Sequence, residues 1–450
     1  MLVFCTLFSA LLAQCPADYD IPLTTSGGLS GTSVAIDGDI AVIGSPLGTG
    51  TDWASGMILV YRLQNGTWIR DAELVANDID AGDMMGVSVD VSGNRVIAGA
   101  WFEDHAGSNS GAAYIFENND GKWLQVAKLT ANDASPEDSF GRRVAIEGDT
   151  CIVTSPLDDD NGATSGSAYA YQYDPLDSTW YQSQKIIAKN GLPGDQFGLG
   201  LAMKGELLAI GSPWANDGAG QIHIFDHMFG TYTESQTLMD PTAEALDNFG
   251  FGLDISEDWL AVGSYHDADM GFDAGSLFLF SRALDGDWMP HEQIYPEGLN
   301  LEGEQFGVSV AIGESVMLVG HRFGVTEKVA SGTTSIYDLE DGSWSFRSHL
   351  YPSKPFHAGE FGWSVAIEGN YALIGAPWTQ PDGYAELFIG MTEDCGCLAD
   401  IDGDGVVDVN DLLIVIGEWG LTISPADINS NGIVDISDLL IVVGSWGFCE

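Results

Sequence analysis

Short apolar runs broken by glycine, asparagine, aspartate and proline set the rhythm of this chain for most of its length. The stretch from Arg143 shows one full cycle: "RVAI", "CIVTSP", a polar "DDDNGATSG", then "SAYAYQY" and "WYQSQKI". Runs this short, rich in β-branched and aromatic residues and bounded by turn formers, predict strands. "CIVTSP", like "LAVG" and "ALIG" in later cycles, is apolar throughout instead of alternating, which predicts a strand covered on both faces. Asn65-Gly66, Asp120-Gly121 and Asp341-Gly342 stand just before Trp68, Trp123 and Trp344, where they predict tight hairpins between a third and a fourth strand.

The cycle recurs. Phe-Gly pairs open it at Phe140, Phe197, Phe249, Phe306 and Phe361, with degenerate versions at Met85-Gly86 and Ser30-Gly31, so seven units follow one another at spacings of 52 to 57 residues. A period of that size belongs to propeller blades or solenoids. Four short strands per unit, with the second covered on both faces, select a closed, all-β, seven-bladed propeller. The phenylalanines then read as filler between blades, and the glycine after each as a strand residue too near the axis for a side chain. The seventh unit ends near Ile389 after its third strand, while an unassigned "DYDIPLTTS" precedes the first unit. Running antiparallel to Tyr384–Ile389, that segment supplies the missing strand and brings Cys15 near Cys395 or Cys397. A disulfide there would lock the ring, in keeping with an oxidising compartment.

"FGWSVAIEGNYALIGAP", from Phe361, carries both the Phe-Gly and the Gly-Ala-Pro elements of the FG-GAP repeat, and over residues 15–389 the chain resembles that family. Its best-known fold is the seven-bladed propeller at the head of integrin α chains. The resemblance implies binding or adhesion, and in some members calcium held in blade loops by a D-x-D-x-D-G pattern. The loops here read "DDDNGATSG", "FEDHAGSNSG" and "WANDGAG", without that spacing, so turn-forming aspartate and asparagine are the simpler reading.

After Cys397 the pattern changes to "ADIDGDGVVDVNDLLIVIGEWG" and then "ADINSNGIVDISDLLIVVGSWG", in a region from Leu398 to Glu450 that has no Lys or Arg. In the first loop Asp400, Asp402, Asp404, Asp408 and Asp411 fall at positions 1, 3, 5, 9 and 12, with Gly405 at 6 and the Val406 carbonyl at 7. In the second, Asp427, Asn429, Asn431, Asp435 and Asp438 repeat the spacing around Gly432, with the Ile433 carbonyl at 7. Hard oxygens at these intervals form a calcium cage, and without a cation the first loop's carboxylates would repel one another. Each loop predicts an apolar-faced helix behind it: Leu412, Leu413, Val415, Ile416 and Trp419, then Leu439, Leu440, Val442, Val443 and Trp446, two stripes able to bury each other. The tail resembles a type I dockerin. That resemblance implies a small all-α module that docks, with Ca2+, onto a cohesin-like scaffold or a cell surface. Positions 10 and 11, often Ser or Thr in dockerins, are here Val409 and Asn410, then Ile436 and Ser437, a departure from the usual recognition residues that puts a standard cohesin partner in question. Cys449 pairs in this reading with whichever of Cys395 and Cys397 Cys15 leaves, and Cys151, in a blade strand, is a buried free thiol.

Charge narrows the partners. Against 66 Asp and Glu stand 15 Lys and Arg, a formal charge of −51 in 450 residues, which repels nucleic acid and acidic lipid surfaces. The apolar run from Leu2 to Ala13 has the length of a secretion-signal core and is too short to span a bilayer. The expected order is thus a signal peptide at 1–14, the propeller at 15–394 and the dockerin-like domain at 395–450, in a secreted or cell-surface protein. Lipidation at Cys15 is the alternative to plain cleavage. No G-x-S-x-G, H-E-x-x-H or P-loop occurs, and His105 and His266 sit in equivalent polar loops as solvated residues. The chain therefore reads as a non-catalytic recognition propeller for a protein or polysaccharide. The alternative is a lyase or hydrolase acting on polysaccharide, its residues converging from several blades.

Overall fold

The computed structural model describes residues 21–24, 28–297, 302–326, 329–391, 401, 406–407, 409–421, 424, 426, 434, 436–444 and 447–448. Its contacts divide the chain into one unit at Ile21–Leu387 and a second that joins Met1–Asp20 to Phe388–Glu450. Seven four-stranded sheets build the first unit. Blade 1 comprises Ser33–Asp37, Ile40–Ser45, Met57–Gln64 and Thr67–Leu74, and the same order recurs through blade 6, whose second-to-third loop carries an extra hairpin, Val325–Thr326 with Val329–Ala330. Second strands such as Ile40–Ser45 and Leu207–Ser212 are buried along their whole length, as their unbroken apolar runs require of a strand with blades on both sides. The hairpins turn on left-handed pairs, Asn65 at φ +52° with Gly66 at +78° and Asp120 at +52° with Gly121 at +81°. Phe229-Gly230 does the same, so this Phe-Gly pair is a turn and opens no blade.

Consecutive blades are joined by a repeated backbone bridge. Gly111 pairs in parallel with Phe140, Gly166 with Phe197, Gly220 with Phe249, Gly275 with Phe306 and Gly332 with Phe361; Gly56–Met85 and Ser30–Gly383 complete the circle. The degenerate openings at Met85 and Ser30 thus occupy the Phe position. Phe140 is fully buried in a cluster that draws Ile97 and Ile115 from blade 2 and Tyr169 and Tyr171 from blade 3. Its glycine neighbour is constrained by something other than crowding at the axis. Gly141 sits at φ +91°, and a Cβ on it would lie 2.3 Å from the Ala112 carbonyl of the preceding blade. In return the Gly141 carbonyl would lie 1.8 Å from a Cβ at Gly99, so two glycines let two blades touch backbone to backbone.

Ile21–Thr24 closes the ring as the fourth strand of blade 7, antiparallel to Tyr384–Ile389, with Ile21 opposite Leu387 and Thr24 opposite Tyr384. Across the same seam Trp68 meets Tyr371 edge-on at 5.4 Å, and the Ser364 hydroxyl donates to the Gly31 carbonyl at 2.9 Å. Asp18, Cys15, Cys395, Cys397 and Cys449 lie outside the described residues. Cys151 is a buried free thiol whose pKa burial pushes well up.

In the second unit the described elements are two helices, Val409–Gly417 and Ile436–Gly444, and a two-stranded pairing of Val406–Val407 with Gly447–Phe448. Val407, Val415, Ala426, Val434 and Val442 form its core, with Leu412 and Leu439 packed against it. Among the described members of the predicted stripes, Leu413, Ile416, Trp419 and Val443 are exposed. Two nine-residue helices bury one narrow strip between them, and these four side chains stay outside it. No described helix is long and apolar enough to cross a membrane.

Candidate functional site

Within each blade the first strand leads away from the Phe-Gly bridge and the second returns antiparallel, so the residues that open the first strand and those that follow the second share one end of the ring. At this end Arg142 and Arg143 open blade 3. The Arg142 guanidinium carbon lies 4.8 Å from the ring centre of Trp101, which stacks on Phe102 at 4.2 Å. Arg143 reaches past blade 4, donating from Nε to the Leu199 carbonyl at 3.0 Å, and its guanidinium stands 5.2 Å from the Phe251 ring of blade 5. Phe251 packs against Tyr265 at 5.1 Å. In blade 6 Arg322 lies between Phe323, at 4.6 Å, and Trp363 of blade 7, at 4.8 Å. Arginine and aromatic side chains therefore alternate around the mouth of the ring from blade 2 to blade 7.

The electrostatics of this rim run against the rest of the molecule. Lys128, Lys185, Arg95 and Arg62 each face two or more carboxylates. Arg142 and Arg143, among the described residues, face none. Burial draws Arg142 down to about 10, and burial together with the Arg142 charge draws Arg143 to about 9, so both still carry charge at neutral pH. The loops on the same end also hold Trp53, Trp214 and Trp378, exposed by 72%, 44% and 49%.

The acidic blade loops have a cation of their own. The Lys185 ammonium donates to Asp133 at 2.8 Å, Asp158 at 2.9 Å and Asp160 at 2.5 Å, and Lys128 does the same for Asp78 and Glu103. Burial, the largest single influence, would raise the Asp158 pKa; the Lys185 hydrogen bond and charge, the Asp160 N–H and the Tyr169 hydroxyl together outweigh it, and the net shift is downward. In blade 5 Gln293 and the Ser276 hydroxyl supply the donors to Asp267. A lysine from the fourth strand thus supplies the positive charge to the acidic loops of blades 2 and 3. His266 is not simply solvated: its Nδ1 lies 3.0 Å from Asp273.

One constellation escaped the sequence reading. Glu304 Oε2 lies 3.2 Å from His321 Nδ1, and His321 Nε2 lies 2.6 Å from the Ser335 hydroxyl, the carboxylate–imidazole–hydroxyl order of a nucleophilic triad. Ser335 and His321 are fully buried, and Ser335 is also held 3.1 Å from His349 Nδ1. A hydroxyl without access attacks nothing, so the chain serves to satisfy buried polar groups within blade 6. A cavity of about 530 Å³ between blades 5 and 6, lined by Met270, Tyr295, Glu297, Trp344 and Phe346, lies on the outer side of this region.

Of the tail's metal-ligand candidates, Asp411 and Asp438 are described; both are buried in the first turns of their helices, and Asp411 accepts the Ile401 N–H at 2.7 Å. Val406 pairs with Phe448. Asp400, Asp402, Asp404, Asp408, Asp427, Asn429, Asn431, Ile433 and Asp435 lie outside the described residues.

The FG-GAP repeat model matches residues 68–116, 123–171, 180–225, 232–280 and 344–386, more than half of the chain. The chain belongs to the FG-GAP repeat family. Each matched stretch joins the fourth strand of one blade to the first three of the next, so the FG-GAP unit straddles the bridge that ties blades together. Among solved structures, this FG-GAP protein is similar to the Pseudomonas aeruginosa periplasmic gluconolactonase PpgL, at 14% identity over 71% of this chain and 84% of that one, with a TM-score of 0.47. It is also similar to Saccharomyces cerevisiae Sqt1, at 10% identity over 82% and 88%, with a TM-score of 0.46. No curated protein matches it in sequence.

Proposed function

We propose that this is a secreted, non-catalytic recognition propeller, joined through a calcium-dependent dockerin-like tail to a scaffold or cell surface. The observation that carries the recognition reading is the mouth of the ring, where arginines alternate with aromatic faces, Arg142 and Arg143 meet no described carboxylate while Arg322 pairs with Glu360 at 3.8 Å, and the exposed tryptophans Trp53, Trp214 and Trp378 share the same end. Such a surface offers directional donors and flat apolar contact, the two ingredients of a binding face. The serine–histidine–carboxylate order of Ser335, His321 and Glu304 is buried and offers no accessible nucleophile.

For the tail, the donor set fits calcium. Asp411 and Asp438 are two buried carboxylates at equivalent places, and every other candidate ligand is a hard oxygen. Asp400, Asp402, Asp404, the Val406 carbonyl, Asp408 and Asp411 would hold one ion; Asp427, Asn429, Asn431, the Ile433 carbonyl, Asp435 and Asp438 the other. The exposed Val409, Leu413 and Ile416, four and three residues apart on one helix, support partner docking through this unit. A binding screen of the purified chain against polysaccharides and extracellular proteins, run beside an assay for product release, tests the whole reading. Binding without turnover is expected; cleaved chains or unsaturated sugars would overturn it.

A further inference from the structure

We propose that the mouth of the ring binds a sparsely charged acidic polysaccharide, with a sugar carboxylate or sulfate held by Arg142 and Arg143 and neighbouring pyranose faces laid on exposed indoles. This rests on the recognition reading above and names its ligand.

The first ground is the missing counter-charge. Two neighbouring guanidinium groups, half-buried at the ring mouth, are costly unless an anion joins them. Among the described residues no carboxylate reaches these two arginines, while Lys185 alone gathers three. The second ground is donor geometry. With Arg142 set over Trp101 and Arg143 over Phe251, Arg142 makes no described hydrogen bond through its guanidinium and Arg143 uses a single N–H, so most of a planar fork stays free on each. Carboxylate and sulfate oxygens fill such a fork in pairs.

Net charge decides how dense the ligand's charge can be. A formal −51 repels a closely charged polymer, yet at physiological salt the remote carboxylates are screened beyond roughly 8 Å. Isolated sugar charges are therefore admitted and crowded ones refused. The tryptophans favour a glycan over an acidic peptide. Trp53, Trp214 and Trp378 stand on blades 1, 4 and 7 at the same end as the arginines, a spread that suits a chain whose every unit has a flat C–H face.

The test uses the full chain. Partly methyl-esterified polygalacturonate is the carboxylate probe, a lightly sulfated galactan the sulfate probe, agarose the neutral control and polyglutamate the peptide control. Binding of one or both acidic glycans, weakened about tenfold or more in R142Q/R143Q, is expected from loss of a charge-assisted pair, and which glycan binds identifies the anion. Equal binding of agarose by wild type and R142Q/R143Q would sink the acidic ligand while leaving recognition standing. Arginine-dependent binding of polyglutamate would replace the glycan by a peptide. Turnover of an acidic glycan that still needs both arginines would overturn the non-catalytic reading and keep this one. Should R142Q/R143Q fail to fold, competition on the wild-type protein decides: displacement by galacturonate or galactose 6-sulfate but not galactose supports the proposal, and any other order ends it.

Discussion

Replacing Lys185 by methionine tests whether a lysine substitutes for a loop cation. Lys185 is 20% exposed and Asp158 4%, so the change leaves a buried carboxylate without its counter-charge. Removing one partner of a buried pair costs about 3–5 kcal/mol. Asp158 retains the Ser167 and Tyr169 hydroxyls at 2.9 and 2.7 Å and the Asp160 N–H at 2.9 Å, which places the loss near the lower end. Asp133 and Asp160, more exposed, add little. For a unit of this size an unfolding entropy of ~0.8 kcal/mol/K turns about 3 kcal/mol into a fall of roughly 4 °C in Tm. Scanning calorimetry at neutral pH reads it directly. Adding D158N should recover more than half of the loss, because the orphaned charge is gone. Millimolar calcium should recover part of it in K185M but do nothing to wild type, since three carboxylates then converge on the vacated position. A K185M melting curve coincident with wild type, or calcium stabilising wild type through this loop, would refute the reasoning.

Other outcomes follow from the same geometry. Burial, the leading cause in each, lifts Asp90 to about 7 and Asp83, Asp138, Asp247 and Asp254 to about 6. The folded chain thus binds protons more tightly than an unfolded one with carboxylates near 4, so this stability is complete below that pH and is lost on rising through 6 to 7. His349, lowered to about 4 by burial and His321, opposes it between 6.5 and 4, but as one group against five. The propeller should melt higher at pH 5 than at pH 8; the reverse order would refute this account. Deleting residues 1–26 opens the seam at Tyr384–Ile389 and should lower Tm by several degrees, and an unchanged curve would discard closure by Ile21–Thr24. Gly99→Ala, which drives a Cβ into the Gly141 carbonyl, should destabilise far more than Gly121→Ala in its open turn; equal effects on denaturant midpoint would end the blade-contact argument. Chelation should release calcium heat on back-titration and unfold the tail, leaving the propeller transition in place, and a tail indifferent to chelator and to calcium would remove the metal proposal.

Local chemistry made much of this architecture legible before any coordinates. Strand identity follows from short apolar runs, the hairpins from Asn-Gly and Asp-Gly pairs, and blade number from a marker spaced 52 to 57 residues apart, because each of these is settled by neighbours along the chain. The fourth strand of blade 7 was also readable, since a blade one strand short leaves an open edge and one spare segment was at hand. The role of the Phe-Gly glycine was only half legible: its need for a bare backbone shows in the sequence, but the partner that demands it, Gly99 for Gly141, belongs to the preceding blade. Arg142 and Arg143 look in the sequence like any surface pair. Only the ring sets them across from Phe251 and Trp101, with no described carboxylate beside them, because circular closure brings together residues from blades 2 to 7 that no local pattern connects. For the same reason Lys185 could not be foreseen as the cation of its loop: strand pairing carries it there from 25 residues beyond Asp160.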